Sequence, residues 1–128
     1  MIPNKLLAEG FRRTGRHWVA SCDILRDFFI FLYNVRGRMH WSLGYSVYKF
    51  HLIKEIVEHH IPVFKTGKLP PYYGRGLDER VVEYPWFFSR LKDHEMWILD
   101  AGSSLNHEEI LSLKCLENRQ LFITTLSS

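Results

Sequence analysis

The chain has 128 residues, of which 46% are hydrophobic, 15% aromatic and 24% charged. This composition excludes a disordered or fibrous protein and matches one ordinary globular domain. The charge is uneven, because residues 1–68 hold eleven Lys and Arg against five Asp and Glu, whereas residues 69–128 hold six against nine. A basic N-terminal half suits an anionic partner, but the lack of a recognised nucleic-acid-binding module disfavours nucleic acid.

Cysteine usage and hydropathy predict a cytoplasmic chain without a transmembrane segment. Cys22 and Cys115 are far apart and form no CxxC motif, and no secretory signal pattern precedes them. The most apolar stretch, Phe28 to Tyr33, is far shorter than the roughly 18 apolar residues that a spanning helix needs. The seven His residues lack the spacing of metal ligands, so no metal centre is predicted.

Two amphipathic helices are predicted in residues 1–64, which we interpret as an N-terminal helical region. The first runs from Arg16 to about Arg36, where Gly37 suits a helix end. Its apolar stripe consists of Trp18, Cys22, Leu25, Phe29 and Leu32. The second spans Tyr45 to His59, and Pro62 is predicted to end it.

Residues 65–77 are predicted to form a linker, because Lys65 to Gly76 is rich in Gly and Pro. Beyond it, Asp78 to Leu91 predicts a short helix begun by Pro85, whose fixed φ suits a first helical turn. The apolar side chains expected to pack inward are Phe87, Phe88 and Leu91.

The last third of the chain changes from helical to alternating patterns. Met96 to Leu99 predicts a strand, Asn106 to Leu116 a helix, and Gln120 to Leu126 a second strand. Strand, helix and strand in this order form a β-α-β unit, so the fold class predicted for the whole chain is α/β.

The segment between these two strands has the pattern of a ligand-binding turn. Asp100 ends the first strand and Gly102 follows two residues later, where the absence of a Cβ allows close approach of a ligand. Asn106 is predicted to be the helix N-cap, with Glu109 completing a capping box. The positive end of that helix would then face the same crevice.

The run Ile98 to Ser103 resembles the first motif of class I S-adenosylmethionine (SAM) methyltransferases, in which an apolar strand ends in acid-x-Gly-x-Gly. Ser104 and Asn106 stand where that pattern has its second and third Gly. The upstream run Asp78 to Trp86 is similar to methyltransferases associated with bacterial glycan biosynthesis. The resemblance implies that the methionine part of SAM contacts Asp100, Ala101, Gly102, Ser103 and Ser104. It also implies that Glu83 lies near the same site.

The resemblance implies SAM-dependent methyl transfer to an unidentified acceptor, for which a sugar or glycan precursor fits the narrower similarity. No catalytic residue can be assigned. Residues 78–128 would supply only the first β-α-β unit of a Rossmann-like domain, whereas a complete domain has about seven strands. The acidic residue expected after the second strand is also missing before Ser128. We therefore expect an incomplete, inactive N-terminal fragment of such an enzyme.

Two alternatives remain open at the level of sequence. The chain could be a non-enzymatic helical interaction module with a basic aromatic surface, and it could self-associate through the exposed edge of its short sheet. An aromatic platform for a sugar or base, or simply a packed core, could be formed by Tyr72, Tyr73, Tyr84, Trp86 and Phe87. The sequence disfavours NAD and P-loop sites because their glycine motifs are absent.

Overall fold

The computed structural model describes residues 22–125. The elements in chain order are α1 (Asp23–Val35), α2 (Tyr45–His59), α3 (Pro62–Thr66), α4 (Arg80–Arg90), β1 (Trp97–Ala101), α5 (Glu108–Leu111), a 3₁₀ turn (Lys114–Leu116) and β2 (Gln120–Thr124). This mixture of helices with two parallel strands is consistent with the α/β class. The chain forms two compact units, Met1–His51 and Leu52–Ser128, which divide within α2. The boundaries predicted at residues 64 and 77 stay a prediction.

The first unit is organised around Tyr33, which is fully buried on α1. Its ring lies 6.1 Å from that of Tyr45 and 5.4 Å from that of Tyr48, both on α2. The predicted helix end near Arg36 is confirmed. The predicted start at Arg16 lies outside the described residues.

The predicted bounds of α2 are confirmed at both ends, but the role predicted for Pro62 is wrong. The helix already ends at His59, and Pro62 instead begins α3, because proline suits a first helical position where no N–H bond is needed. The predicted linker is irregular beyond Gly67, the left-handed C-cap of α3. It nevertheless buries Leu77 and packs Tyr73 against Phe64 of α3.

Helix α4 begins at Arg80, so the prediction that Pro85 starts it is wrong. A proline inside a helix cannot donate to the carbonyl four residues earlier, which here belongs to Val81. The Tyr73 hydroxyl donates to that Val81 carbonyl at 2.6 Å. This side-chain bond replaces the missing helical one and explains why Pro85 is tolerated. Phe88 is buried as predicted, whereas Phe87 and Leu91 are only half-buried.

Strands β1 and β2 pair in parallel, with Trp97 opposite Gln120 and Ala101 opposite Thr124. On β1, side chains alternate between a buried face with Ile98 and Asp100 and an exposed face with Trp97, Leu99 and Ala101. Parallel sheets are usually covered on both faces. Within residues 22–125, this sheet is covered on one.

The connection between the strands is not the continuous helix predicted for Asn106 to Leu116. Helix α5 has only four residues, and extended backbone at Leu113 separates it from the 3₁₀ turn. The three buried residues Ile110, Leu113 and Leu116 recur every third position, which suits a tighter winding than 3.6 residues per turn. The predicted capping box is also wrong, because the N-cap is His107 and no side chain caps the helix.

Candidate functional site

The turn after β1 is held by the carboxylate of Asp100, which is only 8% exposed. One carboxylate oxygen accepts the Ser104 N–H at 3.1 Å, and the other accepts the Leu105 N–H at 2.7 Å. Charged acceptors make stronger bonds to N–H groups than neutral ones do. Asp100 therefore fixes the shape of the turn from the buried face of β1.

Gly102 and Ser103 bend the chain sharply between these bonds. Their φ angles are +123° and +59°, and the first lies in a region that residues with a side chain rarely adopt. The Gly102 N–H donates to the carbonyl of Thr124 at the end of β2, at 3.0 Å. A Cβ built on Gly102 would meet no other atom within 4 Å. The turn thus leaves open space above the Gly102 Cα.

A cavity of about 420 Å³ lies between α4 and the carboxyl end of β1. Among the residues that line it are Glu83, Tyr84, Trp86, Phe87, Asp100 and Ser104. Its size and its mainly apolar lining with a few polar groups are typical of small-molecule sites. The structure therefore brings three of the sequence-predicted site residues, Glu83, Asp100 and Ser104, to one cavity.

The other three predicted site residues, Ala101, Gly102 and Ser103, belong to the turn but do not line this cavity. Glu83 forms an ion pair with Arg80 one helical turn earlier, at 2.7 Å. Both side chains are substantially exposed, so the pair contributes little to stability. Arg80 also lines the cavity, so the Glu83 carboxylate reaches it together with the guanidinium that pairs with it.

Tyr84 was predicted from the sequence only as a member of an aromatic platform or a packed core, not as a contact of the turn. Its hydroxyl donates to the Ser104 carbonyl at 2.5 Å, which ties α4 to the turn after β1. Burial raises the pKa of the Tyr84 hydroxyl, the Arg80 guanidinium opposes this, and the Asp100 carboxylate adds to it. The sequence feature that could have indicated this contact is the tyrosine itself, because a buried tyrosine hydroxyl usually has a hydrogen-bond partner.

We expect Tyr84→Phe to lower the free energy of unfolding by about 1–2 kcal/mol at pH 7, because the Ser104 carbonyl loses its donor. The exposed Tyr72 supplies the matched control, Tyr72→Phe, for which no comparable loss is expected. The raised pKa adds a pH dependence. The stabilisation that comes from the raised pKa of Tyr84 is present below the ordinary tyrosine pKa of 10.0. It is lost as the pH rises through the higher pKa that Tyr84 has in the folded protein.

Urea denaturation followed by circular dichroism between pH 7 and 11 measures both effects. The stability of the wild-type chain should fall more steeply above pH 10 than that of Tyr84→Phe. Parallel curves for the two proteins would show that Tyr84 does not contribute in this way.

The other aromatic residues of the predicted platform divide between two environments. Trp86 and Phe87 line the cavity with Tyr84, whereas Tyr72 is exposed and Tyr73 packs against Phe64. The platform of five is therefore reduced to three side chains at the cavity.

No three His, Cys, Asp or Glu side chains within residues 22–125 are grouped so that they could hold a metal ion. In the same part of the chain, no helix has both the length and the apolar character needed to cross a bilayer. No protein-family model, no curated protein and no solved structure matches this chain.

Proposed function

We propose that this chain binds SAM in the cavity between α4 and β1, as part of a Rossmann-like methyltransferase domain. The observation that carries the proposal is that Glu83, Asp100 and Ser104 meet at one cavity of about 420 Å³. The resemblance implied all three of these residues, and the turn pattern indicated Asp100 independently. The cavity has the volume expected of a site for a molecule of this size.

The position of the cavity also supports the proposal. Ligands of open α/β sheets bind beyond the carboxyl ends of parallel strands, and β1 and β2 are parallel. The turn that follows β1 is stabilised by Asp100 and contains the glycine that permits close backbone approach. A helix dipole adds little here, because α5 has only one turn.

The residues around the cavity fit the chemistry of this ligand. The aromatic faces of Trp86 and Phe87 offer flat apolar surface for the adenine ring or the sulfonium group. The Glu83 carboxylate favours a nearby positive charge, so the sulfonium of SAM would compete with Arg80 for it. Bound SAM would supply a methyl group for in-line transfer to an oxygen, nitrogen or carbon acceptor, and a sugar or glycan precursor is the acceptor class that the resemblance favours. The contribution of this chain would be positioning.

Calorimetric titration with SAM and with S-adenosylhomocysteine tests the proposal. Only SAM carries the sulfonium charge, so Glu83→Gln should weaken SAM binding about threefold to tenfold more than it weakens S-adenosylhomocysteine binding. The exposed Glu117 supplies a matched control, Glu117→Gln, with no expected change in either affinity.

A second variant tests the turn. Gly102→Ala should weaken both ligands, because alanine is strained at a φ of +123° and relief of that strain would shift the nearby Ser104, which lines the cavity. Gly67→Ala introduces an alanine at another left-handed glycine with open space, at the end of α3, and should leave both affinities unchanged. A folded wild-type chain that binds neither compound would contradict the proposal.

A role in protein association is favoured by a separate observation in the first unit. Several large apolar side chains of α1 are exposed there. None of these side chains lines the cavity.

A further inference from the structure

Helix α1 carries a line of exposed apolar side chains, formed by Ile24, Phe28, Phe31 and Val35, which we term the α1 stripe. They are 82%, 53%, 59% and 66% exposed. Their spacing of four, three and four residues places them on one face of the helix, in the pattern of a coiled-coil seam. This face is distinct from the one that packs within the first unit.

The packed face of α1 consists of Leu25, Phe29 and Leu32, which are half-buried, and Tyr33, which is fully buried. A helix that needed only to cover its own core would have polar residues opposite that face. Here a second apolar face remains exposed to water. A partner is therefore expected to cover the α1 stripe.

We propose that the α1 stripe is the interface of an antiparallel dimer, in which α1 of a second copy of this chain covers it. A two-fold axis that passes midway between Phe28 and Phe31, perpendicular to the helices, brings the α1 stripe of one copy onto the α1 stripe of the other. Phe28 then packs against Phe31 of the second copy, and Ile24 against Val35 of the second copy. Every member of the stripe has an apolar partner in this register, as an isologous interface requires.

The charges beside the stripe favour the antiparallel direction. Asp27 precedes Phe28 on one flank, and Asn34 lies one heptad later on the same flank. The Arg38 guanidinium donates to the Asn34 side-chain oxygen at 2.8 Å, so a positive charge is held there. Antiparallel pairing places Asp27 opposite Asn34 and Arg38 of the second copy. Parallel pairing would instead place Asp27 beside Leu32 of the second copy, an apolar side chain that offers its carboxylate no polar partner.

The same charges argue against an anionic lipid surface as the occupant. Asp23 and Asp27 are both exposed near the stripe and would be repelled by acidic headgroups. Their partner within the helix, Arg26, already satisfies part of that charge, so the acidic flank has no excess of cations to bind lipid. A second copy of the chain offers better complementarity.

Sedimentation velocity over a range of concentrations tests the dimer. The wild-type chain should show reversible monomer–dimer exchange, and Phe28→Glu should raise the dissociation constant at least tenfold, because it places a charge in the seam. The exposed Leu111 provides a matched control on α5, and Leu111→Glu should leave the dissociation constant unchanged. Phe122→Glu on the exposed sheet face should also leave it unchanged, which separates this interface from association through the sheet.

Disulfide cross-linking tests the direction, using Ile24→Cys and Val35→Cys proteins that also carry Cys22→Ser and Cys115→Ser. Mixing the two proteins under mild oxidation should give the mixed Ile24→Cys/Val35→Cys dimer. The Val35→Cys protein alone should cross-link poorly, because the two sites would be about 16 Å apart in the antiparallel register.

Three results would overturn the proposal. The first is a wild-type chain that stays monomeric at all concentrations, as it would if another part of the same chain covered the stripe. The second is a dimer that Phe28→Glu leaves intact or that cross-links only between identical positions. The third is binding of a monomer to phosphatidylserine vesicles that Phe28→Glu abolishes. Circular dichroism of each variant confirms that it is folded.

Discussion

Replacing Gly44 with alanine is expected to destabilise the first unit by more than about 3 kcal/mol, the largest effect of any substitution considered for this chain. A Cβ at Gly44 would lie 2.1 Å from the Phe29 carbonyl oxygen and 3.0 Å from the Tyr33 Cβ. The oxygen belongs to the backbone of α1 and cannot move aside without distorting that helix. The φ angle of +89° adds strain for any residue with a side chain.

Urea denaturation followed by circular dichroism at 222 nm measures this effect. Gly37→Ala is the matched control, because Gly37 also has a positive φ, +78°, but a Cβ there would meet nothing within 4 Å. It should cost only about 1 kcal/mol, from backbone strain alone. Equal losses for the two variants would show that α1 and α2 do not approach each other closely at Gly44.

The second large effect is expected for Asp100→Ala, which should lower the free energy of unfolding by about 2–4 kcal/mol. This substitution leaves the N–H groups of Ser104, which is part-buried, and Leu105, which is buried, without their carboxylate acceptor. Asp100→Asn keeps one acceptor oxygen and should give an intermediate loss. These losses follow from the use of Asp100 within the turn, whether or not a ligand binds.

The control for this prediction is Asp93→Ala, which removes an exposed carboxylate just before β1. It should change the unfolding free energy by less than about 0.5 kcal/mol. If Asp100→Ala proved no more destabilising than this control, the turn would not depend on its carboxylate. Chemical denaturation of the three variants in one buffer makes the comparison.

Periodicity predicted the elements whose cores are local in sequence. The bounds of α2 follow from its apolar spacing, and β1 and β2 follow from short runs of β-forming residues. The packed face of α1 was also predictable, since Leu25, Phe29 and Leu32 recur at helical spacing. The second apolar face of the same helix could be recognised only once the exposure of its side chains was known.

The elements that periodicity missed depend on contacts between distant residues. Pro85 was predicted to start a helix, because an internal proline leaves a carbonyl of the helix without a donor. The Tyr73 hydroxyl supplies that donor to Val81, and it comes from the preceding irregular segment, outside the helix. The helix predicted after the turn is broken because Ile110, Leu113 and Leu116 bury together with a period of three. Such compensation is invisible to rules that treat each segment alone.

The position of the candidate site could be predicted from the sequence, but the hydrogen bonds within it could not. The acid and glycine after a strand identified the turn, and the resemblance selected Glu83. The sequence did not indicate that the Asp100 carboxylate would accept hydrogen bonds from two N–H groups of its own turn. It also did not indicate that Tyr84 would bind Ser104, because α4 was expected to begin after Tyr84.

The central claim is that the cavity beside β1 binds SAM, and two-dimensional ¹H–¹⁵N NMR titration with SAM and S-adenosylhomocysteine tests it most directly. We expect saturable shifts of the Gly102 to Leu105 amides and of the Trp86 indole N–H. Signals of the first unit should stay unchanged. Saturating shifts confined to other residues, or none in a folded sample at millimolar ligand, would contradict the claim.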